Sequence, residues 1–216
     1  CASDGLHLLY NHGSVFMSKY YKSIITISLL VGIILFYIAT LHYPGGSNWH
    51  KNAIGFDWRY NYITNLFNPL AVNGDSNGSV PWAIAAMAFL CTGFALFFAD
   101  TAQKVTTPSS SSIIKWGGTL SMLFAFLAVT PWHDLMVTIS NVLVMLSLFY
   151  ITVHLFKSKL FVYGLLSALC LSFIYLGSTM YYTQLWLDWL PMVQKTVFFL
   201  KIVLILSLTW GPTSIQ

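Results

Sequence analysis

Three asparagines stand at the spacing i, i+4, i+7: Asn61, Asn65 and Asn68, within the stretch YPGGSNWHKNAIGFDWRYNYITNLFNPLAVNGDSNGSVPW over 43–82. On a short helix they would share one face, and Pro69 would end that helix. A carboxamide both donates and accepts, so such a stripe suits carbonyl, hydroxyl or phosphate groups of a ligand. A second reading stands beside it, because loop asparagines also cap the loop's own backbone.

Lys201 poses a different question. It lies about eight residues, roughly 12 Å, into the last apolar segment. A charge at that depth costs at least a few kcal/mol unless it snorkels or faces a polar interior. Counting to a similar depth on neighbouring segments reaches Asn141 and Tyr175, with Ser178 and Thr179 one turn higher and Gln194 seven residues before Lys201. Together they would line a polar pocket open to one membrane face. The simpler alternative is a lysine snorkelling along its own stem.

His133 and Asp134 are adjacent in a short connection and are the best-placed candidates for acid–base chemistry. His42, His50, Asp57 and Asp188 fall near the same membrane face. No pair has the spacing of a zinc motif, so the sequence implies no metal site and no cofactor. Asn73-Gly74-Asp75-Ser76-Asn77-Gly78 imitates half of a calcium loop, but the acidic twelfth ligand is replaced by Ile84, which leaves a tight polar turn. Asn77-Gly78-Ser79 also matches a glycosylation sequon.

The elements that must position these residues are set by composition. Of 216 residues, 57% are hydrophobic and 7% charged, with a mean hydropathy of +0.72. A soluble domain carries roughly 25% charged residues. The net charge of +4 is spread along the chain, which excludes a nucleic-acid footprint. Cys91 and Cys170 fall within apolar segments, so no disulfide framework is implied.

Six segments have the roughly 20 apolar residues a bilayer crossing needs: 23–41, 81–99, 113–130, 135–156, 160–182 and 193–210. The expected fold is an all-α integral membrane protein, a six-transmembrane-helix bundle with one long structured outer loop between helices one and two. The first sixteen residues lack a helical or strand period and read as a disordered extension, with 17–216 a single transmembrane domain. Lys19, Lys22, Lys104, Lys115, Lys157 and Lys159 fall on one side, against Lys51, Arg59 and Lys195 on the other. By the positive-inside rule both termini face the cytoplasm and the loop faces out. Trp82, Trp116, Trp132, Trp186, Trp189 and Trp210 lie at the expected boundaries, as an aromatic belt requires.

Short motifs along most of the chain resemble a known family. They are Tyr43-Pro44-Gly45-Gly46, the Asn61 and Asn65 loop, the turn at Asn73, the turn at Pro131 and Gln194 before the last helix. This pattern resembles the small prokaryotic membrane proteins catalogued as domain of unknown function number 998. A more distant likeness is to the Frag/DRAM/Sfk-like six-helix membrane proteins. The resemblance implies six spanning helices and a prokaryotic cytoplasmic membrane, and, by architectural analogy alone, lipid handling. It implies no agreed activity.

Three functions therefore compete. The first is a protein, enzyme or binder, that handles a membrane lipid or other amphiphile at the outer face. The second is a small transporter, against which stands the lack of an internal repeat or of glycine and proline breaks at mid-membrane. The third is an accessory subunit with membrane-protein or homo-oligomeric partners and no chemistry of its own.

Overall fold

The computed structural model describes residues 20–211 in full. The expected extension over 1–16 lies outside the described residues. The elements are α1 (Ala2–Leu41, described from Tyr20), a 3-10 turn (Ile63–Phe67), α2 (Val80–Lys104), α3 (Pro108–Leu127), α4 (His133–Lys157), α5 (Phe161–Thr183) and α6 (Leu190–Trp210). Among the described residues there is no strand, only the isolated bridges Gly45–Ile54 and Leu70–Ser76 within the long loop.

Local signals explain the helix limits. Pro81, Pro108 and Pro191 stand in the first turns of α2, α3 and α6, where the missing N–H costs nothing. α5 ends where Gln184 turns left-handed at φ 58°. Several limits differ from expectation: α3 runs from Pro108 to Leu127 against the expected 113–130, and α6 already begins at Leu190. α2 runs on through Lys104, and α4 already begins at His133, so the histidine and aspartate open a helix instead of sitting in a turn.

Among the described residues five helices are long and apolar enough to cross a membrane: Tyr20–Leu41, α2, α4, α5 and α6. α3 falls short because its first half carries Pro108, four serines, Lys115 and two glycines. The exposed stripe Ile24, Ile27, Leu30, Ile34, Tyr37 and Leu41 recurs every three or four residues along α1. Such a stripe would be a liability in water and is the solvent-facing side in lipid. The architecture is that of a helical membrane protein.

Each helix packs against the next in the chain, as the short connections demand, and α6 returns to contact α1 and α2. Its C-terminal end is tied on both sides. Trp210 donates from Nε1 to Thr26 Oγ1 at 3.0 Å, and Lys104 donates from Nζ to the Leu208 carbonyl at 3.2 Å. Lys104 also pairs with Asp100 at 2.8 Å. The bundle centre is filled by Ile25, Leu29, Phe97, Ile114, Ile151 and Leu204, all fully enclosed.

Candidate functional site

The loop between α1 and α2 is a folded unit, and the Tyr43 and Asn61 side chains are its centre. Asn61 is completely buried. Its Nδ2 donates to the Gly46 carbonyl at 2.7 Å, and its Oδ1 accepts from the Asp57 N–H at 2.7 Å. The Tyr43 hydroxyl donates to the same Gly46 carbonyl at 3.2 Å and accepts from the Val72 N–H at 3.2 Å. One tyrosine and one asparagine thus cross-link the loop's beginning, middle and end.

Asn65 and Asn77 do the same for the second half. Asn65 accepts at Oδ1 from the Tyr62 N–H at 2.6 Å, opening the 3-10 turn. Asn77 Nδ2 donates to the carbonyls of Asn65 at 3.1 Å and Asn68 at 2.8 Å, while its Oδ1 accepts from the Ser79 hydroxyl and N–H. Ser79 donates to the Leu66 carbonyl at 2.9 Å. An asparagine so engaged at both ends and buried is not available as a glycosylation acceptor. Asn73 and Asp75 bond each other across the Gly74 turn, the tight polar turn expected in place of a calcium loop.

The expected stripe is therefore not assembled. Asn61 lies before the 3-10 turn and Asn68 caps its end, so the three asparagines share no helix face. Asn61 and Asn65 spend their amides on the loop's own backbone, and Asn68 alone has its side chain exposed. Self-capping wins because a buried loop backbone must find partners, and asparagine supplies both a donor and an acceptor. Burial raises the phenols of Tyr43 and Tyr62 above their ordinary value, in Tyr43 against the pull of the Val72 N–H and the Asn61 side chain.

The loop is latched to the N-terminal end of α6. Gln194 Oε1 accepts from the Ile63 N–H at 2.9 Å. Lys195 donates from Nζ to the Asn61 carbonyl at 2.6 Å and to the Pro191 carbonyl at 3.1 Å, with the Phe56 ring 5.7 Å away. Tyr62 donates to the Leu187 carbonyl at 3.3 Å. Lys195 is a positioning residue that sequence reasoning treated only as a surface charge. The adjacent Gln-Lys pair opening the last helix was the available signal. Around this latch the rings of His50, Tyr60, Trp49 and Tyr62 run in contact, with successive centroids 4.9, 5.8 and 6.2 Å apart.

The other predicted residues do not converge. Lys201 is partly buried in a narrow pocket between α2, α4 and α6, lined by Phe94, Phe97, Phe98, Val144, Leu148 and Leu204. Among the described residues no hydrogen bond or ion pair reaches its ammonium. Asn141 sits one turn above Val144 on the same face of α4, partly buried. Tyr175 is 64% exposed and lines a separate open groove between α4 and α5 with Val142, Met145, Phe149 and Leu171. Gln194 belongs to the loop latch. The polar pocket expected around Lys201 is thus divided among three places, because Tyr175 and Lys201 lie on different faces of their helices.

His133 and Asp134 form an exposed pair at the N-terminal end of α4, with Nδ1 3.0 Å from Oδ1. Tyr181 of α5 reaches the same carboxylate. Among the described residues no hydroxyl or thiol nucleophile is hydrogen-bonded to the histidine. Among the described residues no group of three metal-ligating side chains gathers. No family model, no curated protein and no solved structure matches this chain.

Proposed function

We propose that the protein binds or processes a membrane lipid or other amphiphile at the outer membrane face, on the rim where the α1–α2 loop is latched to α6. The observation that carries this reading is the latch itself. A loop held by Gln194, Lys195 and Tyr62 is a rigid polar platform at the level where lipid head groups lie. Rigid scaffolding with exposed aromatic rings at its edge suits recognition of an amphiphile whose tail stays in the bilayer. Asn61, Asn65 and Gln194 hold this platform in shape.

The same reading takes all six helices as crossing. α3 is sandwiched between α2 and α4 and is about 30 Å long, enough to span. On this reading, and by the lysine bias, both termini lie on the cytoplasmic side of a prokaryotic membrane and the loop lies outside. The motif resemblance to the family of domain of unknown function number 998 supports the same arrangement.

The test is lipid mass spectrometry on the chain extracted in mild detergent. Wild type is expected to carry one lipid class enriched over the bulk membrane. Gln194→Leu removes the acceptor for the Ile63 N–H and should bring the bound lipids toward bulk composition while thermal unfolding stays cooperative. Lys201→Met reports how deep the ligand reaches: loss of the lipid extends the site down to Lys201, and retention confines it to the rim. A wild-type protein with bulk lipid composition refutes the reading.

A further inference from the structure

Arg59 is the chain's one arginine among nine lysines. It is exposed, and its position is fixed from beneath. The Asp57 carboxylate accepts from the Arg59 N–H at 2.8 Å and the Tyr60 N–H at 3.2 Å, and the Asp57 carbonyl accepts from the Asn61 N–H at 2.8 Å. Asp57 is therefore spent on shaping the turn and does not pair with the guanidinium. The guanidinium carbon stands 5.1 Å from the Tyr60 ring centroid and 6.0 Å from that of Trp189. Asp188, the other nearby acid in sequence, makes no ion pair with it.

An arginine braced by aromatic faces keeps its in-plane N–H edge free, and that edge matches two oxygens of one phosphate. Trp189 comes from the other loop, between α5 and α6. That loop carries Gln184 and Trp186 at φ 58° and 54°, conformations that bulky residues seldom adopt and that cost about 1–3 kcal/mol each. Trp189 is also the residue preceding α6, so the positive end of that helix dipole lies alongside. The first amides of α6 are already bonded to the carbonyls of Leu187 and Trp189, which leaves the guanidinium as the free donor.

We propose that Arg59, set over the rings of Tyr60 and Trp189, binds the phosphate ester of an anionic phospholipid head group at the outer face. This rests on the amphiphile reading above and names its polar end. Trp58 and Trp186, both more than half exposed, flank the turn and the partner loop at the interfacial level where indole rings partition. Lysine in place of arginine would supply a charge without the planar, stacked, two-toothed edge.

The experiment is native mass spectrometry of the full chain in detergent, titrated with phosphatidylglycerol, with diacylglycerol of the same acyl chains, and with glycerol phosphate as competitor. Wild type is expected to retain phosphatidylglycerol at least tenfold better than diacylglycerol. Arg59→Gln should reduce phosphatidylglycerol retention to the diacylglycerol level, and Arg59→Lys should recover less than a third of it. Because Arg59 is exposed and its side chain makes only ring contacts, both variants should unfold at the wild-type temperature. Raising the salt concentration should weaken retention in wild type and leave Arg59→Gln unchanged. Equal phosphatidylglycerol retention in wild type and Arg59→Gln overturns the assignment of Arg59 while leaving amphiphile binding intact. Displacement of phosphatidylglycerol by equimolar glycerol phosphate overturns the lipid source in favour of a soluble phosphate ester. Failure of wild type to retain either lipid sinks this proposal together with the reading beneath it.

Discussion

The α1–α2 loop and the helix bundle solve the same problem, burial of polar atoms, in opposite ways. In the loop the buried side chains of Tyr43, Asn61, Asn65, Asn77 and Ser79 all find partners. In the helices, and among the described residues, buried oxygens of Thr101, Ser178 and Thr209 find none. A helix satisfies its own backbone, so an unpaired hydroxyl there strands a single group. A loop has no such internal ladder, and its peptide groups go unpaired unless side chains are enlisted. Polar residues are thus structural in the loop and dispensable at these positions in the bundle.

The largest expected effect lies in the loop backbone. Gly46 has φ +83°, and a Cβ there would stand 2.5 Å from the Asn73 nitrogen. Gly55 has φ +71° with nothing within 4 Å. Gly46→Ala combines backbone strain with a clash against the chain and should abolish the loop fold, seen as loss of cooperative unfolding or of folded yield. Gly55→Ala should cost only about 1 kcal/mol, the left-handed penalty alone. Similar losses at both positions would mean that φ, and not the close approach of Asn73, holds the loop.

Next comes the contrast between Asn61 and Asn68. Asn61→Ala strands the Asp57 N–H and weakens the Gly46 anchor, and should destabilise by about 2–4 kcal/mol, the range for breaking two buried hydrogen bonds. Asn68→Ala leaves the Asn68 carbonyl in place to accept from Asn77, and should change stability by less than about 0.5 kcal/mol. Chemical denaturation in micelles measures both. Equal and small effects, with selective loss of bound lipid, would restore the asparagines as ligand contacts.

The smallest effect belongs to the bundle. Thr101→Val and Thr209→Val replace an unpartnered hydroxyl with a methyl of nearly the same volume. Each should be neutral or stabilising by up to about 1 kcal/mol in thermal unfolding. A loss above that would reveal a partner for these hydroxyls and erase the contrast with the loop.

The helices were legible because their signal is local. An apolar run of sufficient length, a proline in the first turn and a short connection suffice to place α1, α2, α4, α5 and α6 within a few residues. α3 was the least apolar of the six, with four serines and Lys115 in its first half, so its hydropathy alone falls below that of the other five. The Asn61, Asn65 and Asn68 spacing was legible but misleading. Helical periodicity carries meaning only on a helix, and the chain there forms a five-residue 3-10 turn that neither Asn61 nor Asn68 enters.

Which side chains meet was decided by the tertiary structure alone. Asn61 and Lys195 are far apart in sequence and joined at 2.6 Å, and Gln194 and Ile63 at 2.9 Å. Arg59 and Trp189 come from separate loops that only the closed bundle brings to one rim. Counting depth along each helix carries no information about helix rotation. Rotation is set by packing between neighbours, and it turns Tyr175 outward while Lys201 faces Phe94, Phe97 and Phe98. The sequence by itself determined that the chain is apolar enough to enter a bilayer, because transfer from water to lipid is a sum over residues. Only the folded chain determined which polar groups share a site, because a hydrogen bond depends on the position of two atoms and not on the composition of a segment.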